Sequence, residues 1–221
     1  MRIARIFLIP GVRERVAKAR FLAKKGQHGF SISKDLSYVS SVEYSQSHFH
    51  TYQPIRERID FLVSTLGNTT RFGDNAKLLV LGPRYESEIF GYMGLGFRKR
   101  NISALDTFSY SKLITLGNIH NMPFESEEFD LVICGWTLAY SEDLSKAIDE
   151  IARVLKFGGI LIMTFDLREG EQVSNLAELK IANYKGSLMK LLERHFRVRN
   201  YFLGKTSWAK LNICSIALDK R

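Results

Sequence analysis

Between Leu78 and Phe165, uninterrupted apolar runs alternate with amphipathic stretches, and this rhythm organises the chain. Leu78 to Leu81 is wholly apolar and ends at Gly82-Pro83, the pattern of a parallel strand covered on both faces. Glu86 to Leu95 reads as a helix closed by Gly96, and Ile102 to Leu105 as a second strand ending at Asp106. Leu113 to Leu116 and Leu131 to Cys134 are the third and fourth strands. From Glu142 to Leu155, the residues Leu144, Ala147, Ile148, Ile151, Ala152 and Leu155 fall on one helical stripe. Ser141 is its expected cap, and Glu142 and Asp143 suit the positive end of its dipole. Phe157-Gly158-Gly159 then turns the chain into a fifth strand, Ile160 to Phe165, ending at Asp166.

The flanks are less regular. A polar loop to about Ile181 leads to a helix around Gly186 to Arg194 and two strands, Phe196 to Phe202 and Leu211 to Leu218. The short turn around Gly204, Lys205 and Thr206 makes those two antiparallel neighbours. Upstream, Pro54 suits a first helical turn, Ile55, Ile59, Leu62, Val63 and Leu66 follow at helical spacing, and Gly67 is the expected stop. Arg13 to Lys25 has helical composition, but Val16, Ala17, Ala19, Phe21, Leu22 and Ala23 form no clean stripe, so a weak or partner-dependent helix is expected. Gln27 to Gln53 follows neither period and reads as an irregular connector or short edge strands.

The expected fold is therefore α/β: an open, doubly wound, mainly parallel sheet of seven strands with a C-terminal antiparallel strand and an N-terminal helical extension. Residues 1–53 are the extension, residues 54–221 the sheet domain, and residues 77–166 its ligand-binding half.

Composition narrows the setting. At 221 residues with 45% hydrophobic, the chain can bury one full core. It holds no apolar run near the ~18–20 residues of a membrane span. The apolar patch Ile6 to Pro10 is too short for a secretory signal. Cys134 and Cys214 lie in apolar runs without metal-ligand spacing and read as reduced core thiols, which suits the cytoplasm. His48 and His50 alternate with Tyr52 but have no acid or cysteine nearby, so no metal site is expected.

The net charge of +9 is unevenly spread: residues 1–75 carry 12 Lys+Arg against 6 Asp+Glu, residues 76–166 carry 9 against 12, and residues 167–221 carry 11 against 5. Basic flanks around a mildly acidic centre can face nucleic acid, an anionic membrane surface or a phosphorylated substrate, or simply be solvated.

Ligands in open α/β sheets sit outside the carboxyl ends of the strands. The residues there are Leu81 with Gly82-Pro83-Arg84, then Asp106, Asn118-Ile119-His120, Gly135-Trp136 and Asp166. Asp106 lies 24 residues beyond Gly82, close to the spacing of about 20 in nucleotide-binding crossovers. Gly82-Pro83-Arg84-Tyr85-Glu86-Ser87 cannot form a GxGxxG turn, which disfavours a dehydrogenase, and P-loop, GxSxG, HExxH and kinase signatures are absent.

Three segments resemble the class I S-adenosylmethionine-dependent methyltransferases, with a type 11-like domain. They are Gly117-Asn118-Ile119-His120-Asn121-Met122-Pro123-Phe124, Phe129-Asp130-Leu131-Val132-Ile133, and Ile151 through Leu155 with Lys156-Phe157-Gly158-Gly159. The resemblance covers Lys77 to Asp166 and implies S-adenosyl-L-methionine as cofactor. It implies that Asp106 binds the ribose hydroxyls, that Asn118 and Ile119 contact the adenine, and that Gly82 lets the methionine portion approach the backbone. Asn118 stands where the family more often has an acid. The first loop departs further, with Val80, Gly82, Arg84 and Glu86 where an acid and alternating glycines are usual. Arg84 could then meet the cofactor's carboxylate and Glu86 or Glu88 its ammonium, or these charges form a surface ion-pair network.

His120 and Tyr140 flank the ends of the third and fourth strands as candidate general bases, with packing or cofactor contact as the alternative. Trp136 can cover the cofactor, line the acceptor pocket or pack at the rim. The resemblance also suggests residues 1–53 as an acceptor lid. The leading reading is methyl transfer to a small molecule, a sugar or a lipid-linked saccharide. The alternatives are a nucleic-acid methyltransferase clamped by Arg13, Arg15, Lys18 and Arg20, and a non-catalytic binding relative.

Overall fold

The computed structural model describes residues 3–28, 31–32, 52, 56–69, 72–167, 188–205 and 212–221. The expected connector histidines His48 and His50, the Pro54 helix start, the polar loop after Leu167 and the turn at Thr206 lie outside them.

Seven strands form one sheet: β1 (Leu78–Leu81), β2 (Ile102–Asp106), β3 (Thr115–Leu116), β4 (Phe129–Gly135), β5 (Leu155–Asp166), β6 (Phe196–Lys205) and β7 (Asn212–Lys220). Their spatial order is β3-β2-β1-β4-β5-β7-β6. β1 to β5 pair in parallel, and β7 inserts antiparallel between β5 and β6. The order reverses at β1, between β2 and β4, and at such a switch point a crevice opens above the strand ends.

The apolar runs are explained by two cores. Leu79, Leu81, Val132 and Cys134 face one side of the sheet and pack against helices α4 (Leu144–Val154) and α5 (Leu188–Leu192). Leu78, Val80, Leu131 and Ile133 face the other side, against α2 (Arg56–Thr69) and α3 (Glu86–Leu95). Both cysteines are free and buried.

Element ends show where side-chain chemistry differs from pattern. Gly96 closes α3 at φ 114°, as expected. The helix expected from Glu142 starts later, because Asp143 caps it by accepting the Lys146 N–H at 3.0 Å. Ser141 instead approaches His120. Gly67 does not stop α2, which runs to Thr69 with the Thr69 hydroxyl donating to the Thr65 carbonyl at 2.7 Å. Phe129 pairs with Leu155 and Leu131 with Ile160, so residues 156–159 bulge out of β5, with Gly158 at φ 69°.

The N-terminal helix is more definite than its sequence suggests. α1 spans Pro10–His28 and docks on α3 beside a 3-10 turn at Ile3–Leu8. Its inner face mixes Arg13, Glu14, Ala17 and Phe21, all buried, so the packing does not show as an apolar stripe. Phe21 meets Tyr52, Tyr85 and Tyr110 with ring centroids at 5.5, 5.8 and 5.0 Å. Among the described residues, no helix is long and apolar enough to cross a membrane.

Candidate cofactor and acceptor site

The crevice at the strand ends is a cavity lined from six directions: β1 and its loop, β2, the turn after β3, β4 and its loop, α2 and the start of α3. The expected residues Gly82, Pro83, Arg84, Asp106, Asn118, Ile119, His120, Gly135, Trp136 and Tyr140 all line it.

Gly82 has φ 67°, and a Cβ there would run into the Thr137 side chain. Only glycine reconciles this left-handed turn with the close approach of the two loops. The Gly82 N–H continues the ladder to the Leu105 carbonyl at 2.8 Å. Arg84 then takes φ 45°, so a non-glycine residue holds the left-handed bend where the expected glycine is missing.

The Arg84 N–H donates to Asp106 Oδ2 at 3.2 Å, while the Phe108 N–H donates to Oδ1 at 3.2 Å. Burial raises the Asp106 pKa, against these hydrogen bonds, which favour the carboxylate. The carboxylate is thus oriented at the end of β2 before any ligand arrives.

After β3, Asn118 Oδ1 accepts the His120 backbone N–H at 2.9 Å and lies 2.6 Å from His120 Nδ1. Since Oδ1 can only accept, Nδ1 carries the proton, and Nε2 accepts from the Ser141 hydroxyl at 2.8 Å. Burial lowers the His120 pKa below its usual value, which keeps the ring neutral near pH 7.

On the opposite wall, Trp136 sits at φ 59° and donates Nε1–H to Asp166 Oδ1 at 2.8 Å. The Arg58 guanidinium lies 4.5 Å from the Trp136 ring centroid and 3.5 Å from Asp166 Oδ2. Tyr140 stands at the rim, 37% exposed.

Three expected residues fall outside the cavity lining, among them Asp166, which holds Trp136 and Arg58 from behind. Leu81 points its side chain into the core, while its carbonyl accepts the Thr137 hydroxyl at 2.8 Å. Glu86 is fully buried and turned toward α1, because cations there compensate its charge: Arg20 Nη2 and Lys24 Nζ each lie 3.0 Å from Oε1, and the Ser111 hydroxyl also donates to it. Burial alone would raise the Glu86 pKa, but these donors outweigh it and hold the group below the usual carboxylate range. Glu86 is thus tied to α1, and the glutamate facing the cavity is Glu88.

Sequence reasoning missed Arg58, Ile59, Leu62 and Thr137 as cavity residues. The apolar stripe of α2 showed that Ile59 and Leu62 pack on something, but no local signal carried Arg58 there. Among the described residues, no His, Cys, Asp and Glu cluster of three or more could hold a metal.

Residues 93–163 match the model of a family described as "Methyltransferase domain". None of the curated proteins matches the chain. The N-methyltransferase NodS from Bradyrhizobium japonicum WM9, solved with S-adenosyl-L-homocysteine, superposes with TM-score 0.57 at 15% identity, over 81% of this chain and 98% of its own. The chain has the class I methyltransferase fold. The PH0226 protein of Pyrococcus horikoshii OT3 superposes on the same fold with TM-score 0.57 at 20% identity, over 81% of this chain and 99% of its own. The cyclase SpnF does so with TM-score 0.54 at 15% identity, over 76% of this chain and 83% of its own. The methyltransferase fold thus fixes the frame of the site, and the reaction has to be argued from the site itself.

Proposed function

We propose that the chain is an S-adenosylmethionine-dependent methyltransferase that acts in the cytoplasm on a small-molecule, sugar or lipid-linked saccharide acceptor. The observation that supports the cofactor most directly is one cavity at the switch point joining Gly82, the pre-oriented Asp106 carboxylate and the Asn118–His120 turn. These residues fit the cofactor: Asp106 for the ribose hydroxyls, Asn118 and Ile119 for the adenine, and Gly82 with Pro83 for the methionine portion. Asn118 would meet the ring through groups other than Oδ1, which already serves His120.

When bound, the cofactor supplies an electrophilic methyl group on a sulfonium. The chain's part is alignment and exclusion of water, because displacement at that methyl needs a base only for acidic acceptors such as hydroxyls. His120 is neutral, buried and wired between Asn118 and Ser141, which favours a positioning role. Tyr140 at the rim is then the better placed of the two to face an acceptor.

The acceptor side carries Trp136, Tyr140 and Tyr85 with Arg58, a largely aromatic lining that suits a small polar or sugar acceptor better than a nucleic-acid trough. Two cations of the nucleic-acid clamp are already engaged within the fold, Arg13 with Asp60 and Arg20 with Glu86. Arg15 and Lys18 are exposed on α1 and suit peripheral contact with an anionic surface. We assign α1 the role of a brace on the first loop, and leave the lid to the rest of segment 1–53.

Titration calorimetry with S-adenosylmethionine and S-adenosylhomocysteine tests this reading. Wild type should bind both, and Asp106→Ala should weaken binding by about tenfold or more, the worth of hydrogen bonds to a charged group. Folded protein that binds neither at millimolar ligand is a non-catalytic relative.

A further inference from the structure

Glu88 is a carboxylate the proposed reaction has not yet used. It sits in the first turn of α3, is 7% exposed, and lines the cavity together with Gly82, Arg58 and Trp136. The Tyr92 hydroxyl donates to its Oε1 at 2.8 Å, which orients the group from one turn along the helix. Around it stand Arg13 of α1, Arg58 and Asp60 of α2, Arg84 of the first loop, Asp106 of β2 and Cys134 of β4.

Two of the nearby cations also serve other partners. The Arg13 guanidinium is ion-paired with Asp60 and lies 3.5 Å from Glu14, and Arg58 lies over Trp136 beside Asp166. Asp106, the other carboxylate lining the cavity among the described residues, is assigned to the ribose hydroxyls. The cofactor brings an amino-acid end whose α-ammonium is protonated at pH 7, and a buried cation needs a carboxylate beside it.

We infer that Glu88 is the counter-ion of the cofactor's α-ammonium group, standing in for the backbone contacts that the altered first loop lacks. This rests on the methyltransferase reading above and adds a proton to it. In the free protein, burial foremost, with the negative charge of Asp106, pushes the Glu88 carboxyl up to about 7, against the pull of Tyr92 and Arg13. Near pH 7 the free protein therefore holds Glu88 partly in its neutral form. An arriving ammonium favours the carboxylate, so the neutral acid gives its proton to solvent and forms the ion pair. Binding is then tightest where Glu88 is ionised while the ligand's α-ammonium still holds its proton, and it weakens as pH falls below 7.

The test compares three ligands on the full chain by calorimetry: S-adenosylmethionine, S-adenosylhomocysteine, and 5′-methylthioadenosine, which lacks the ammonium. Glu88→Gln should weaken the first two by about tenfold or more, as for loss of a buried charge pair, and leave the third within about twofold. Wild type, titrated between pH 6 and 7 in buffers of different ionisation enthalpy, should release protons on binding S-adenosylhomocysteine, and more at the lower pH, but none on binding 5′-methylthioadenosine. That second measurement needs no variant, so it decides even where Glu88→Gln folds poorly. Equal weakening of all three ligands, weakening of S-adenosylmethionine alone, unchanged affinities, or no proton release would each overturn the inference. Wild type that binds none of the three would instead remove the methyltransferase reading on which it stands.

Discussion

The two walls of the cavity are built on different physics. The wall formed by Asp106 and the Asn118–His120 turn is local: its donors and acceptors lie within a few residues of each other or across one parallel ladder. The wall formed by Gly82 to Glu88 is held from a distance. Its Glu86 answers to α1, with a sequence separation of 66 from Arg20 and 62 from Lys24. The first kind of wall survives as long as the sheet does. The second depends on the N-terminal helix being docked.

Gly82→Ala should break the comparison most severely, because both walls meet at that residue. A left-handed alanine costs about 1–2 kcal/mol and the forced contact with Thr137 about 1–3 more. Chemical denaturation should thus show a loss of roughly 2–5 kcal/mol, with cofactor binding abolished.

Arg20→Ala attacks the long-range wall alone. Breaking a buried ion pair usually costs about 3–5 kcal/mol, but Arg20 is 41% exposed and Lys24 and Ser111 remain. A loss of roughly 1–3 kcal/mol is expected, with cofactor affinity falling because the first loop is no longer braced. A stable variant that binds normally would show that α1 is not part of the site.

The acid limb of stability sharpens the same point. Glu86 has a lowered pKa in the folded protein, so its ion-pairing stabilises the fold above the unfolded carboxylate value and is lost as pH falls through the folded value. Glu86→Gln should therefore flatten the fall in unfolding free energy below about pH 4.5, relative to wild type. An unaltered acid limb would place the compensation elsewhere.

The smallest effect belongs to the local wall. Asn118→Asp puts a carboxylate against His120 Nδ1 and should raise the His120 pKa from its lowered value by about 1–2 units. Histidine NMR titration reads this directly, and the fold should be untouched.

The sheet was legible because its signals are periodic and short-range. Leu78–Leu81 and the α4 stripe need no partner to be recognised, and strand ends then locate Asp106 and Asn118. The chain's departures from expectation share one cause: a side chain found a better partner than the pattern implied. Asp143 rather than Ser141 caps α4, since Ser141 serves His120. Glu86 turns to α1, and Glu88 takes the cavity.

The amino-acid sequence by itself determined the order of the elements, the two buried faces of the sheet and the residues at the carboxyl ends of its strands, because hydrophobic periodicity and turn chemistry act over a few residues. Only the tertiary structure decided which glutamate is spent on the N-terminal helix, that Arg58 joins Trp136 and Asp166, and that His120 is neutral. Those outcomes depend on the desolvation of charges by elements far apart in sequence, and burial of that kind exists only once the chain has folded.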